Sequence, residues 1–167
     1  AIVVRNRTQV RGALLEALVR CKVVGRLGVG LDNIDVAGCA ARGVEVIPAT
    51  GANALSVAEY VIGTAMVLLR GAYQSTGAVA AGKWPRNALS GGREIGGKTL
   101  GLVGFGSIGQ CTARLARAVG MEAIAFDAMM DAGHSAFAEA GVRCAGLDEV
   151  VGTADVVSLH VPLLEST

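Results

Sequence analysis

Three glycines and one aspartate in this 167-residue chain have the types and spacing to hold a phosphorylated ligand. Gly104-Phe105-Gly106-Ser107-Ile108-Gly109 is a GxGxxG run, and Asp127 closes the apolar segment that follows. Gly104 permits a tight turn, Gly106 lets a pyrophosphate approach the backbone, and Gly109 lets a helix pack closely on a strand. A helix starting here presents unpaired N–H groups and about half a positive charge, which favours a phosphate. Asp127 can accept hydrogen bonds from ribose 2′- and 3′-hydroxyls and would repel a 2′-phosphate. Ala128-Met129-Met130 offer no Arg to hold such a group. The chemistry is dinucleotide binding, with NAD favoured over NADP.

A bare GxGxxG describes many glycine turns, so the flanking elements decide. Thr99-Leu100-Gly101-Leu102-Val103 is an apolar run of strand length. From Ile108 the apolar residues take helical spacing through Ala113, Leu115, Ala116 and Val119, and Gly120 stops that helix. Glu122 to Phe126 reads as a second strand ending on Asp127. Downstream, Ser135 to Ala140 reads as a short helix, Val142 to Cys144 as a short strand, Leu147 to Val151 as helix and Ala154 to Leu159 as strand. The β-α-β-α-β-α-β result is the first half of a doubly wound sheet.

A second candidate site lies upstream. Ile2 to Val4 form a strand followed by Arg5-Asn6-Arg7-Thr8, at the strand end where open parallel sheets place ligand loops. These residues equally suit a solvated loop before the helix through Leu14, Leu15, Ala17, Leu18 and Val19. Lys22 to Gly25 form another strand, and Gly28 and Gly30 free the following backbone to turn its amides toward one point. Asp32 or Asn33 is placed to cap the helix through Val36, Cys39 and Ala40. Val44 to Ile47 is a strand closed by Pro48. Ser56-Val57-Ala58-Glu59 has capping-box spacing. The helix it opens, to about Leu69, is apolar around much of its circumference, which predicts burial nearly all round, between domains. Tyr73 to Ala81 reads as a second helix, Lys83-Trp84-Pro85-Arg86 as a solvated turn and Asn87 to Lys98 as a connecting loop.

Composition narrows the class. Apolar residues make up 52% and charged residues 17%, as suits parallel strands buried on both faces. A net charge of +1 without a basic stripe argues against nucleic-acid binding. The apolar stretch Tyr60 to Leu69 falls well short of the about twenty residues a membrane span needs, and no targeting signal is visible. Cys21, Cys39, Cys111 and Cys144 are widely spaced, with no CxxC and only two histidines, so they read as core or free thiols and not as a metal site. A cytoplasmic protein is expected. Both ends read as cut, because a strand opens the chain and another closes it.

Several of these segments together resemble the D-isomer-specific 2-hydroxyacid dehydrogenases, especially the branch containing phosphoglycerate dehydrogenase. The carriers are Val4 to Thr8, Gly25 to Asp35, Ser56 to Glu59, Gly82-Lys83-Trp84, Gly97 to Gly109 and Ser158-Leu159-His160-Val161-Pro162. The resemblance implies an α/β protein, with a doubly wound Rossmann-type parallel sheet preceded by part of a flavodoxin-like substrate domain. Residues 1–52 would be that partial substrate domain, and 53–167 the interdomain helices and first half of the NAD-binding domain. It implies that the amides around Val29 and Gly30 hold a substrate carboxylate, and that Arg5 contacts substrate with help from Arg26. Arg5, Arg7 and Arg26 would together read a second anion on the substrate, whether phosphate, sulfonate or carboxylate. Gly106, Ser107 and Ile108 would cradle the pyrophosphate, Asp127 the ribose, and His160, Val161 and Pro162 the adenosine side. Asp127 is followed by Ala where many relatives have Pro. Pro162-Leu163-Leu164-Glu165-Ser166-Thr167 replaces the commoner Pro-Leu-Thr-Pro-x-Thr.

In the family, a nicotinamide hydride adds to a 2-keto acid, a histidine supplies the proton, an Arg grips the carboxylate and a Glu holds the histidine charged. All three lie downstream of the Ser-Leu-His-Val-Pro segment, so no catalytic residue is assigned here. His160 is read as cofactor-lining or structural and His134 as a surface residue. The chain by itself is expected to lack dehydrogenase activity and to belong to an enzyme of roughly twice its length, usually a homodimer. A non-enzymatic NAD(H)-binding regulator of the corepressor type shares this architecture. The arginines favour an enzyme and disfavour formate, which has no second charge.

Overall fold

The computed structural model describes residues 1–162, so the loop departure noted for 163–167 lies outside the described residues. The chain divides into two compact units, Ala1–Asn53 and Ala54–Thr167.

In the first unit, β1 (Ile2–Val4), β2 (Val23–Arg26) and β3 (Glu45–Pro48) form a parallel sheet in that order. α1 (Gly12–Ala17) and α2 (Val36–Ala41) make the crossovers. Val4, Val10, Leu15, Val24, Ile34, Cys39 and Val44 close its core. α1 is shorter than its apolar pattern predicts: Leu18 caps it and Val19 is exposed. Neither Asp32 nor Asn33 caps α2. Asp35 does, accepting from the Gly38 amide at 2.8 Å.

The second unit begins with α3 (Ala54–Leu69). It starts two residues before Ser56, so Ser56 lies within its first turn instead of capping it; Ala54 and Leu55 are strong helix formers and extend it backward. Its burial is a single stripe, Ala58, Ile62, Ala65 and Leu69, while Leu55, Tyr60 and Leu68 are exposed. The expected all-round burial is therefore corrected within the described residues. The Tyr73 to Ala81 segment is two pieces, a 3-10 turn (Gly71–Gln74) and α4 (Thr76–Ala80). The break falls at Ser75, whose hydroxyl bonds the Ala72 carbonyl at 2.7 Å, in competition with helix propagation. Trp84 is exposed, as a solvated turn requires, and α5 (Arg86–Leu89) takes the start of the expected connecting loop.

The remaining elements are β4 (Thr99–Val103), α6 (Ser107–Ala118), β5 (Glu122–Phe126), α7 (Ser135–Ala140), β6 (Arg143–Cys144), α8 (Leu147–Thr153) and β7 (Val156–Leu159). All pairings are parallel, in the order β6-β5-β4-β7. The first strand of this unit therefore lies inside, with its successors on one side and β7 on the other. That reversal is the topological switch point at which open α/β sheets bind ligands. Leu100, Leu102, Phe105, Ala113, Ala116, Ala125 and Phe137 form its core. Phe105 stacks on Phe137 with ring centroids 4.7 Å apart.

Candidate functional site

The switch point assembles the glycine residues, Asp127 and the His160 segment. β4 pairs with β7 so that Val103 faces Leu159, and the loops after both strands leave side by side. The His160 amide donates to the Val103 carbonyl at 2.7 Å. Gly104 has φ +96°, and a Cβ there would lie 2.5 Å from the His160 carbonyl oxygen. Only glycine fits that turn. On the β5 side, the Gly104 amide donates to the Phe126 carbonyl and the Phe105 amide to Asp127 Oδ2, both at 2.7 Å. Asp127 Oδ1 accepts from the Met129 amide at 2.8 Å. Each carboxylate oxygen has a further lone pair to offer a ribose hydroxyl.

Gly106 caps α6 without any side-chain cap. A Cβ on it would meet nothing within 4 Å. Among the described residues, the Gly106, Ser107 and Ile108 amides have no hydrogen-bond acceptor. Three unpaired donors thus stand at the positive end of a helix, beside the open space at Gly106, the donor set a pyrophosphate needs. Gly109 does the packing work: a Cβ there would sit 2.3 Å from the Gly104 carbonyl oxygen. These residues fit a dinucleotide. His160 is half-buried, its Nε2 3.2 Å from Ser158 Oγ, and burial lowers its pKa below the ordinary imidazole value. Near pH 7 it is neutral and presents no cation to the cleft. Val161 and Pro162 are exposed beside it. His134 caps α7, accepting from the Ala136 amide at 3.3 Å.

The first unit brings together Arg5, Arg26, Val29 and Gly30. Val4 pairs with Arg26, and the Leu27 amide donates to the Val4 carbonyl at 2.9 Å, so the two loops begin at adjacent strand ends. Val29 and Gly30 are exposed, and among the described residues their amides have no acceptor. Arg5 and Arg7 are exposed and make no ion pair among the described residues. Arg26 is buried, at 8% exposure. Its Nε donates to Asn33 Oδ1 at 3.2 Å and its Nη1 to the Leu27 carbonyl at 2.8 Å. Arg26 thus spends two donors inside the protein.

Sequence reasoning missed Asn33. Its neighbour Asp32 and its position before a helix suggest a cap, but the side chain turns inward, 1% exposed, and bonds the Arg5 and Thr8 carbonyls. Those two carbonyls are more than twenty residues away in sequence, so no local signal marks them. Phe105 was likewise legible only as a variable position of the glycine run. Among the described residues, no group of His, Cys, Asp and Glu forms a metal site, and no helix is long and apolar enough to cross a membrane. Cys21 and Cys39 are buried, Cys111 and Cys144 half-buried, all four free thiols.

A parallel sheet in this order, with an uncapped glycine turn and an acid at the next strand end, defines a Rossmann-type dinucleotide-binding domain. Residues 62–167 match the NAD-binding domain of D-isomer-specific 2-hydroxyacid dehydrogenases, and the chain belongs to that family. The cofactor of this domain is NAD. The chain is 50% identical over 167 residues to an (S)-sulfolactate dehydrogenase from Chromohalobacter salexigens, covering all of the chain and 53% of that protein. It is 35% identical to a D-3-phosphoglycerate dehydrogenase from Archaeoglobus fulgidus, covering all of the chain and 31% of that protein. The crystal structure of D-lactate dehydrogenase from Aquifex aeolicus, complexed with NAD and lactic acid, superimposes with a TM-score of 0.84 at 27% identity. That match covers 99% of this chain and 49% of the other. The chain spans about half the length of the first of these relatives and less of the second.

Proposed function

We propose that the protein carrying this chain interconverts a 2-hydroxy acid and its 2-keto acid, and that its substrate bears a second anionic group. The observation that carries this reading is the pair of unpaired amides at Val29 and Gly30, at the strand end adjacent to exposed Arg5 and Arg7. In this reading those amides hold the substrate carboxylate, while Arg5 and Arg7, with Arg26 behind them, hold the second anion. The bound nicotinamide cofactor supplies or accepts the hydride. Gly106, Ser107 and Ile108 hold its pyrophosphate, Asp127 its ribose, and His160, Val161 and Pro162 its adenosine side. On this assignment the Ala1–Asn53 unit is part of the substrate domain, and the second unit joins connecting helices to the first half of the cofactor domain. From family membership we extend the proposal to a cytoplasmic homodimer, checked by light scattering and cell fractionation.

The test is a substrate panel on the full-length protein with NADH. It contains 2-keto acids bearing a sulfonate, a phosphate, a second carboxylate or no second charge. Charge-assisted hydrogen bonds of about 1.5–3 kcal/mol predict a kcat/KM preference of about ten- to a hundredfold for a doubly charged substrate. The 50% identity to a sulfolactate dehydrogenase supports the sulfonate first. Tight NADH binding without turnover of any panel member would overturn the reading in favour of a non-enzymatic NAD(H)-dependent regulator.

A further inference from the structure

We propose that Asn33 is a positioning residue for substrates with a second anion, setting where the Arg5–Thr8 loop and the Arg26 guanidinium stand without touching substrate itself. This rests on the substrate reading above and deepens it. Asn33 is 1% exposed and uses every face of its amide. Nδ2 donates to the Arg5 carbonyl at 3.0 Å and the Thr8 carbonyl at 2.7 Å, and Oδ1 accepts from Arg26 Nε at 3.2 Å. Two carbonyls on one side and a cation on the other fix which way round the amide stands, because its oxygen cannot face the carbonyls.

The consequence is a rigid coupling of three segments that diverge in sequence. Arg26 is held by Asn33 and by the Leu27 carbonyl, and its guanidinium lies against Gly28, where a Cβ would come within 2.2 Å of Nη1. The cation is thereby set beside the loop that offers the Val29 and Gly30 amides. The Arg5–Thr8 loop is tied down by Asn33 at both its ends, and the Val10 amide adds a bond to the Asn33 carbonyl at 2.9 Å. Arg5 and Arg7 ride on that loop. The Gly28–Gly30 loop has anchors of its own, Leu27 to Val4 and Ala49 to Gly28. Removing the Asn33 amide therefore frees the arginine-bearing loop much more than the amide-bearing one. A substrate held by both loops should suffer, and one held only through its carboxylate should suffer much less.

The experiment compares Asn33→Ala with the parent in the full-length protein, using one 2-keto acid with a sulfonate or phosphate and one without. The expected result is a KM for the doubly charged substrate raised by about tenfold more than that for the singly charged one, because the arginine-bearing loop loses both its Asn33 side-chain anchors and Arg26 loses one of its two. The NADH dissociation constant should stay within about twofold of the parent. Asn33→Asp is the second variant, should Asn33→Ala fail to fold. It keeps the size and the Arg26 contact but turns an oxygen toward the Arg5 and Thr8 carbonyls, and the same selectivity loss is expected. Equal changes in both KM values, or no change, would mean that Asn33 is structural only and would overturn the proposal. Arg5→Ala and Arg7→Ala separate the two levels. If they leave charge selectivity untouched, the substrate reading itself fails; if they abolish it while the Asn33 variants do not, only the positioning role fails.

Discussion

The Phe105 amide donates to Asp127 Oδ2 across 2.7 Å, tying the glycine turn after β4 to the acid after β5. The same carboxylate accepts from the Met129 amide. Asp127 therefore shapes the turn in addition to the ribose contact proposed for it. Asp127→Ala in the full-length protein should weaken NADH binding by about ten- to a hundredfold, as loss of a charge-assisted hydrogen bond implies. It should weaken NADPH binding far less, since the repulsion of a 2′-phosphate goes with it. Fluorescence titration with both nucleotides reads the two effects; an unchanged NADH/NADPH ratio would show that Asp127 does not select the cofactor.

Gly106 and Gly109 make opposite demands, and alanine at each separates them. At Gly109 the added methyl would collide with the Gly104 carbonyl 2.3 Å away. Overpacking of that kind costs about 1–3 kcal/mol and should lower Tm along with NADH affinity. At Gly106 the methyl meets no protein atom. Gly106→Ala should keep the parent Tm while losing NADH affinity, because the methyl would enter the space proposed for the pyrophosphate. Thermal unfolding beside nucleotide titration distinguishes them, and a large Tm loss in Gly106→Ala would refute the assignment.

Phe105 is fully buried and stacked on Phe137 with an interplanar angle of 1°. Phe105→Ala should destabilise by about 3–5 kcal/mol, the usual cost of emptying a buried aromatic site. Urea unfolding measures it. A cost below about 1 kcal/mol would mean the site collapses around the deletion, and the stack then contributes little.

Two groups with shifted pKa contribute to the pH dependence of the second unit, in different windows. Burial holds His160 neutral and its folded pKa below the unfolded value of about 6.5. Between those values the unfolded state binds more protons, so stability is full above about pH 6.5 and falls as pH drops toward the folded pKa. His160→Gln should flatten that fall in urea midpoints measured from pH 8 to 5. Asp155 titrates lower. The Thr99 amide, with Lys98 adding, holds its carboxyl below the ordinary value. Its contribution is present above the unfolded pKa of about 3.9 and is lost as pH falls through the lower folded one. Asp155→Asn should therefore lessen the loss of stability only in strong acid. Midpoints that respond to neither variant would place the pH sensitivity elsewhere.

The sequence by itself determined the strand, glycine turn, helix, strand and acid from Thr99 to Asp127, because each is written in a few adjacent residues. An apolar run bounded by glycines is a strand, a switch to helical spacing starts a helix, and an acid at the following strand end faces the turn. Composition and spacing also put arginines and glycines at the ends of β1 and β2. What only the tertiary structure decided depends on contacts between distant residues. β7 pairs with β4 across two intervening strands, and that pairing alone sets His160 against Gly104. Capping depends on where a side chain finds a free amide, so Asp35 took the role that Asp32 and Asn33 were equally placed to fill. Asn33 instead turned inward because two carbonyls and a buried guanidinium, from Arg5, Thr8 and Arg26, left a polar gap of its size. A buried polar group must be satisfied by whatever the fold brings to it, and that is decided by strand order and loop closure, which local spacing does not encode.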